Sequence, residues 1–273
     1  MSRLTSLLRV AAACAVLAGC AHALKEPPPL SQIGGGGPLP GDNEDLDSLL
    51  RHAEFLYAKR ALPEIREAVT LFLAAARRDS SRIEGLLGAV KAQAWLADHE
   101  SASHDRAAAA TAAVQSAQWC ARLQPQSAAC EYWLGAALGL QAREKRSTAL
   151  DALPRIEQAF RRASEMDPGL EQGGPYRALA LLYARAPAWP AGPGDPDRAI
   201  EEARQALEIA PDYPPNLLAL GETLANLEDT AGARAAYTRA LEQAQERLLR
   251  EDPDAKEWIE EARKGLAGKS STP

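Results

Sequence analysis

The sequence predicts an all-α fold: a right-handed solenoid of about five helix pairs ending in a C-terminal capping helix. Three observations predict it. A small–aromatic–small spacing recurs along the chain. Prolines recur behind it at a constant offset. The composition suits amphipathic helices, with 46% hydrophobic and 25% charged residues but only 5% aromatic ones. The balance of 31 Lys+Arg against 37 Asp+Glu offers no positive face for phosphate, so nucleic-acid binding is not expected.

Residues 1–19 place Arg3 and Arg9 around the start of an apolar run, Val10 to Ala18. That run is too short to span about 30 Å of hydrocarbon, so it is expected to be a cleaved signal peptide. It ends in Leu17-Ala18-Gly19-Cys20, which resembles the bacterial lipobox. The resemblance implies cleavage before Cys20 and acylation of its thiol and amine, a lipid anchor without a spanning helix. Ala21 at the next position suggests outer-membrane delivery. Loss of Arg3 and Arg9 with the signal takes the formal charge from −6 to −8. From 20 to 43 the lipidated Cys leads into Pro27-Pro28-Pro29, Gly34 to Gly37, Pro38 and Pro40. The segment lacks apolar periodicity and is expected to be a flexible tether.

The body, 44–267, repeats itself. Pro168 follows Ala163 and Phe160, Pro211 follows Ala206, Ala203 and Ala199, and Pro125 follows Cys120, Ala117 and Ala113. Ala68/Phe72/Ala75 and Ala233/Tyr237/Ala240 keep the spacing without the proline. Offsets of four and three place these residues on one helical face, where small residues admit a neighbouring helix and the aromatic fills the next gap. The pairs are expected at about 44–80, 81–125, 126–168, 174–211 and 214–250, with a polar-faced closing helix over 253–267 and a disordered tail, 268–273.

Leu217, Leu220-Gly221 and Leu224 precede Ala233, Tyr237 and Ala240 with the internal spacing of a 34-residue tetratricopeptide repeat (TPR). Tyr176, Leu179-Ala180 and Tyr183, and Leu134-Gly135 with Leu138, take the same places in earlier units. The body therefore resembles the TPR family. Three connections exceed that family's tight turn: Ala97 to Arg106, Ala142 to Ala152, and Ala186 to Asp197. Under the resemblance Cys120 packs against the next unit's first helix near Cys130, in reach of a disulfide in an oxidising compartment; two buried thiols are the alternative.

Chemistry is sparse. His99-Glu100 and His104 hint at zinc, but the histidines stand five apart rather than four and fall on different helical faces. No nucleophile elbow, phosphate loop or dinucleotide turn is present, so the reading is no enzyme, no metal and no cofactor. The concave face, where such solenoids bind, is projected to carry Ala129, Tyr132, Ala136, Gly139 and Leu140 from the third unit. The fourth gives Arg177, Leu181, Ala184 and Arg185, and the fifth gives Leu218, Glu222, Ala225 and Asn226. That predicts a small apolar groove with two cations at one end, Arg177 and Arg185 either binding a partner or pairing with Glu201/Glu202. Trp189, inside Pro187-Ala188-Trp189-Pro190-Ala191-Gly192-Pro193-Gly194, is either a plug on the body or a partner contact; the plug is the expectation. Tyr132, Trp133, Tyr176 and Trp189 are the aromatic candidates in a chain poor in aromatics.

Tyr132-Trp133-Leu134-Gly135, Met166-Asp167-Pro168, Gly173-Gly174-Pro175-Tyr176-Arg177, Gly194-Asp195-Pro196 and Ala210-Pro211-Asp212-Tyr213 with Asn216 together resemble the T component of TRAP-type transporters. That resemblance covers about 45–250. It implies a lipid-anchored periplasmic TPR protein that forms homo-oligomers around an apolar pore and meets a solute-binding protein, with an apolar ligand. The alternative is a TPR scaffold for outer-membrane, secretion or pilus assembly.

Overall fold

The computed structural model describes residues 26–33 and 45–268. The signal segment 1–19, Cys20 and residues 269–273 lie outside the described residues. Among the described residues eleven α-helices follow one another: α1 (Leu46–Ala58), α2 (Leu62–Arg78), α3 (Glu84–His99), α4 (Ser103–Leu123), α5 (Ala128–Glu144), α6 (Ala149–Met166), α7 (Gly174–Arg185), α8 (Pro196–Ile209), α9 (Pro214–Asn226), α10 (Thr230–Leu249) and α11 (Ala255–Leu266). They form five antiparallel pairs with α11 as the cap, at the boundaries the repeat spacing predicts.

Local chemistry sets the helix starts. The Asp45 carboxylate accepts from the N–H groups of Asp47 and Ser48, Ser127 caps α5 through Cys130 N–H, and Asp195 and Asp229 cap α8 and α10. Prolines stand in the first turns of α2, α7, α8 and α9, where a missing N–H costs nothing. Between helices, the small and aromatic positions meet as their spacing requires. Ala163, Ala199, Ala203, Ala206 and Ala240 are fully buried. A methyl group on Gly135 would lie 2.7 Å from the Phe160 ring, which explains glycine there.

Two of the three long connections are shorter than expected. Between α3 and α4 only residues 100–102 are non-helical, and α5 runs to Glu144 before a single 3₁₀ turn, Arg146–Thr148. The extra residues lengthen the helices, since Ala97 is buried and the alanine run of α4 favours helix. Only 186–195 is a true insertion. Its base is closed by Gly194 N–H to the Pro187 carbonyl (2.9 Å) and Asp195 N–H to the Tyr183 carbonyl (3.1 Å).

Within the expected tether, residues 26–33 lie on the body. Ile33 is 1% exposed among Leu49, Leu71 and neighbouring core residues, and Pro27 is buried. Composition concealed this because the segment's two large apolar side chains, Leu30 and Ile33, are too few to show periodicity.

The solenoid curls until its ends meet. Arg60, between α1 and α2, holds Asp254 at the start of α11 with two hydrogen bonds of 2.6 and 3.1 Å. His99 Nε2 lies 3.6 Å from the Glu257 carboxylate. Among the described residues no helix is long and apolar enough to cross a membrane.

Candidate functional site

The odd-numbered helices line the concave side, and several charged and aromatic side chains meet there. Arg177 on α7 donates to Asn216 Oδ1 on α9 at 2.7 Å and stands 5.4 Å from the Tyr213 ring, with the Tyr132 hydroxyl at 3.5 Å. Arg247 flanks the same Tyr213 ring at 5.2 Å, and Trp258 meets it edge-on. Lys91 on α3 donates to Glu171 at 2.8 Å and sits 5.5 Å from the Trp133 ring. Tyr57 packs under Arg60, 4.1 Å from the ring, and burial holds its hydroxyl above the ordinary range. Burial does the same to Tyr213.

A second group lies about two turns along α7. Arg185 donates to both oxygens of Glu222, at 2.7 and 2.6 Å, and Asn226 donates to the Ala184 carbonyl at 3.1 Å. Glu261 of α11 faces this pair. Its carboxyl is pushed above the usual range, first by the surrounding protein and then by the Glu222 carboxylate, with Arg185 opposing. Tyr237 is pushed up to about 12 by burial and by Glu222. Glu257 is raised mainly by burial, with His99 pulling the other way.

The Glu261 shift has a sign. The folded chain binds that proton more tightly than the unfolded one, so this group's contribution to stability is greatest when protonated and declines as pH rises from 4.5 through the raised value. Solvent reaches Glu261, which keeps the effect small. Glu261→Gln is expected to raise the melting temperature at neutral pH, with the difference disappearing below pH 4.5. Calorimetry at both pH values checks it, and an equal shift at both would rule the carboxylate out as the cause.

Several sequence-predicted residues meet here and others do not. Tyr132 and Arg177 come together, as do Arg185, Glu222 and Asn226. Arg185 pairs with Glu222 rather than Glu201 or Glu202, because α9 supplies the next concave ridge while those two glutamates ride on outer helix α8. Trp133 is half-buried with its indole N–H enclosed and unbonded, and Leu140, Tyr176 and Leu181 are half-buried between helices. Where an apolar groove with two cations was expected, charged groups meet in pairs: Arg185 with Glu222, beside Glu261, and, where the curl brings the ends together, Arg60 with Asp254 and His99 with Glu257. Arg60, Lys91 and Glu171 escaped sequence reasoning; Tyr213 and Asn216 enter it only as part of a family-like motif, and Asp254, Glu257 and Glu261 only as the polar face of the closing helix. A usable signal existed, because partners recur near one repeat period: Arg66–Glu100 are 34 apart, Arg185–Glu222 37 and Arg106–Glu144 38.

Trp189 is not a plug. It is 86% exposed at the tip of the insertion, which closes on itself with Gly192 against Leu153 and Pro187, so no pocket receives the indole. The Cys120 and Cys130 sulfurs lie 2.04 Å apart in a disulfide between α4 and α5, buried with Leu86 and Ala76. A loop this short contributes roughly 2–3 kcal/mol in the chain-entropy view. Among the described residues no His/Cys/Asp/Glu group suited to a metal ion occurs; His99 instead stacks on Trp95 at 3.8 Å.

Helix pairs stacked around a concave, side-chain-lined face define a solenoid of the TPR class. A thermophilic TPR protein of Thermus thermophilus superposes with a TM-score of 0.61 at 21% identity, covering 80% of this chain and 99% of that one, a likeness of fold alone. The profile of the TRAP transporter T-component family matches residues 73–259, and the chain belongs to that family. With it comes an association with the bacterial envelope. No curated protein matches the chain.

Proposed function

We propose that this chain is a lipid-anchored, periplasm-facing adaptor, held at the outer membrane through acylated Cys20, that docks the solute-binding protein of a TRAP system. The observation that carries the docking is Trp189, 86% exposed on an insertion whose base is fixed by backbone hydrogen bonds. An indole presented on an ordered turn loses little entropy on burial and supplies a large apolar contact, the profile of a binding hot spot. The charge-paired concave face supports a polar protein surface as partner more than an apolar ligand. The protein works by binding, without catalysis or cofactor, and its reach to the partner is set by the anchor.

Trp189→Ala is expected to weaken binding of the solute-binding protein tenfold or more, about 1.4 kcal/mol at the least, while leaving helicity and melting unchanged. Titration calorimetry with the purified pair measures it. Unchanged affinity for Trp189→Ala would remove the insertion from the interface; no binding by the parent chain would overturn the adaptor reading and leave envelope-assembly partners to be tried.

A further inference from the structure

Residues 26–33 are the part of the chain that composition least explains. Pro27-Pro28-Pro29 fix an extended backbone, with Pro29 at φ −49° and ψ 142°, before a 3₁₀ turn at Leu30–Gln32. The Trp119 indole N–H donates to the Pro28 carbonyl at 2.9 Å, the Arg77 guanidinium donates to the Ile33 carbonyl, and Arg122 lies 3.5 Å from Glu26. Leu30, with Ile83, Leu87 and Trp119, packs against the cluster that holds the disulfide. These contacts fall at the C-terminal ends of α2 and α4 and around the start of α3, while Ile33 joins the core shared by α1 and α2. An aromatic N–H on a proline carbonyl beside an apolar slot is how folded domains hold polyproline segments; stiff prolines lose little entropy on docking.

We infer that the slot between the C-terminal ends of α2 and α4 is a polyproline-binding site occupied by the chain's own residues 26–33, and that this docking sets how far the repeat body stands from the membrane. The inference rests on the reading of Cys20 as the anchor. A flexible chain of the 24 residues 20–43 would have a root-mean-square reach of about 27 Å, whereas a flexible chain of the six residues 20–25, from Cys20 to the docked strap, would reach about 13 Å. The strap converts a loose leash into a short mount and fixes which edge of the solenoid faces the lipid.

Two insertions of about ten Gly/Ser residues distinguish the cases without touching the repeats. One goes between positions 25 and 26, ahead of the strap; the other goes between Gly35 and Gly36, behind it. The full-length lipidated protein is placed on a supported bilayer of phosphatidylethanolamine and phosphatidylglycerol, and neutron reflectometry reads the hydrated gap beneath the body. The insertion ahead of the strap is expected to widen the gap from about 13 to about 22 Å, and the one behind to leave it unchanged. The double substitution Leu30→Ser/Ile33→Ser, with melting monitored, is expected to roughly double the gap. Equal widening by both insertions overturns the docked strap while leaving the anchor intact. Absence of acyl mass on Cys20 overturns the anchor reading and the mount together.

Discussion

Asn216→Leu is expected to destabilise the protein by about 3 kcal/mol, lowering the melting temperature by roughly 10 °C. Asn216 is fully buried at the start of α9, and its amide does four jobs. Nδ2 reaches the carbonyls of Gln172 (3.0 Å), Ala206 (2.8 Å) and Ala210 (3.2 Å), while Oδ1 accepts from Arg177. It thereby ties α9 to the end of α8 and to the turn before α7. Leucine keeps the branched shape but adds bulk and removes the amide from the Gln172, Ala206 and Ala210 carbonyls, the last two of which keep one backbone donor each, and it takes the Oδ1 acceptor from the part-buried Arg177 guanidinium; weakening several desolvated polar groups at once is what makes such a change costly. Thermal and urea unfolding measure the loss. A fall below 1 kcal/mol would mean that water reaches these carbonyls and the node is not structural.

Gly221→Val is expected to cost about 3 kcal/mol and to act at the C-terminal end. The Tyr237 ring is held between two glycines: a methyl on Gly221 of α9 would lie 2.7 Å from it, and one on Gly265 of α11 would lie 2.6 Å from it. A ring displaced by the first would be driven into the second helix. Because Tyr237 also contacts the core formed by Leu217, Ala240 and Ala262, the ring cannot swing clear without uncovering that cluster. Hydrogen exchange should show α11 losing protection first, with α1–α6 little changed; uniform loss along the chain would contradict a local wedge.

Much of this arrangement could be read from residues alone, for a physical reason. The helix pairs follow from steric spacing, Phe160 or Tyr237 between small neighbours, and sterics of that kind repeat with the chain. The fate of Trp189 does not follow, because whether an indole finds a pocket depends on surfaces from other repeats. The Arg185–Glu222 pair lay in the sequence at one repeat period, but reading it requires adding that period rather than searching the nearest helix. The strap was hidden because its hold comes from backbone carbonyls meeting Trp119 and Arg77, and carbonyls carry no signature of residue type. The charged concave face escaped because curvature, which sets Arg60 against Asp254, is a sum of small rotations over every repeat.

The meeting of Arg60 with Asp254 and of His99 with Glu257 has a topological consequence. An open stack of repeats behaves as a line, fraying from free ends and extendable by adding units. Here two ion pairs join the closing helix to the first two helix pairs, so a sixth full pair inserted ahead of α11 would part them, and fraying at α11 must first break them.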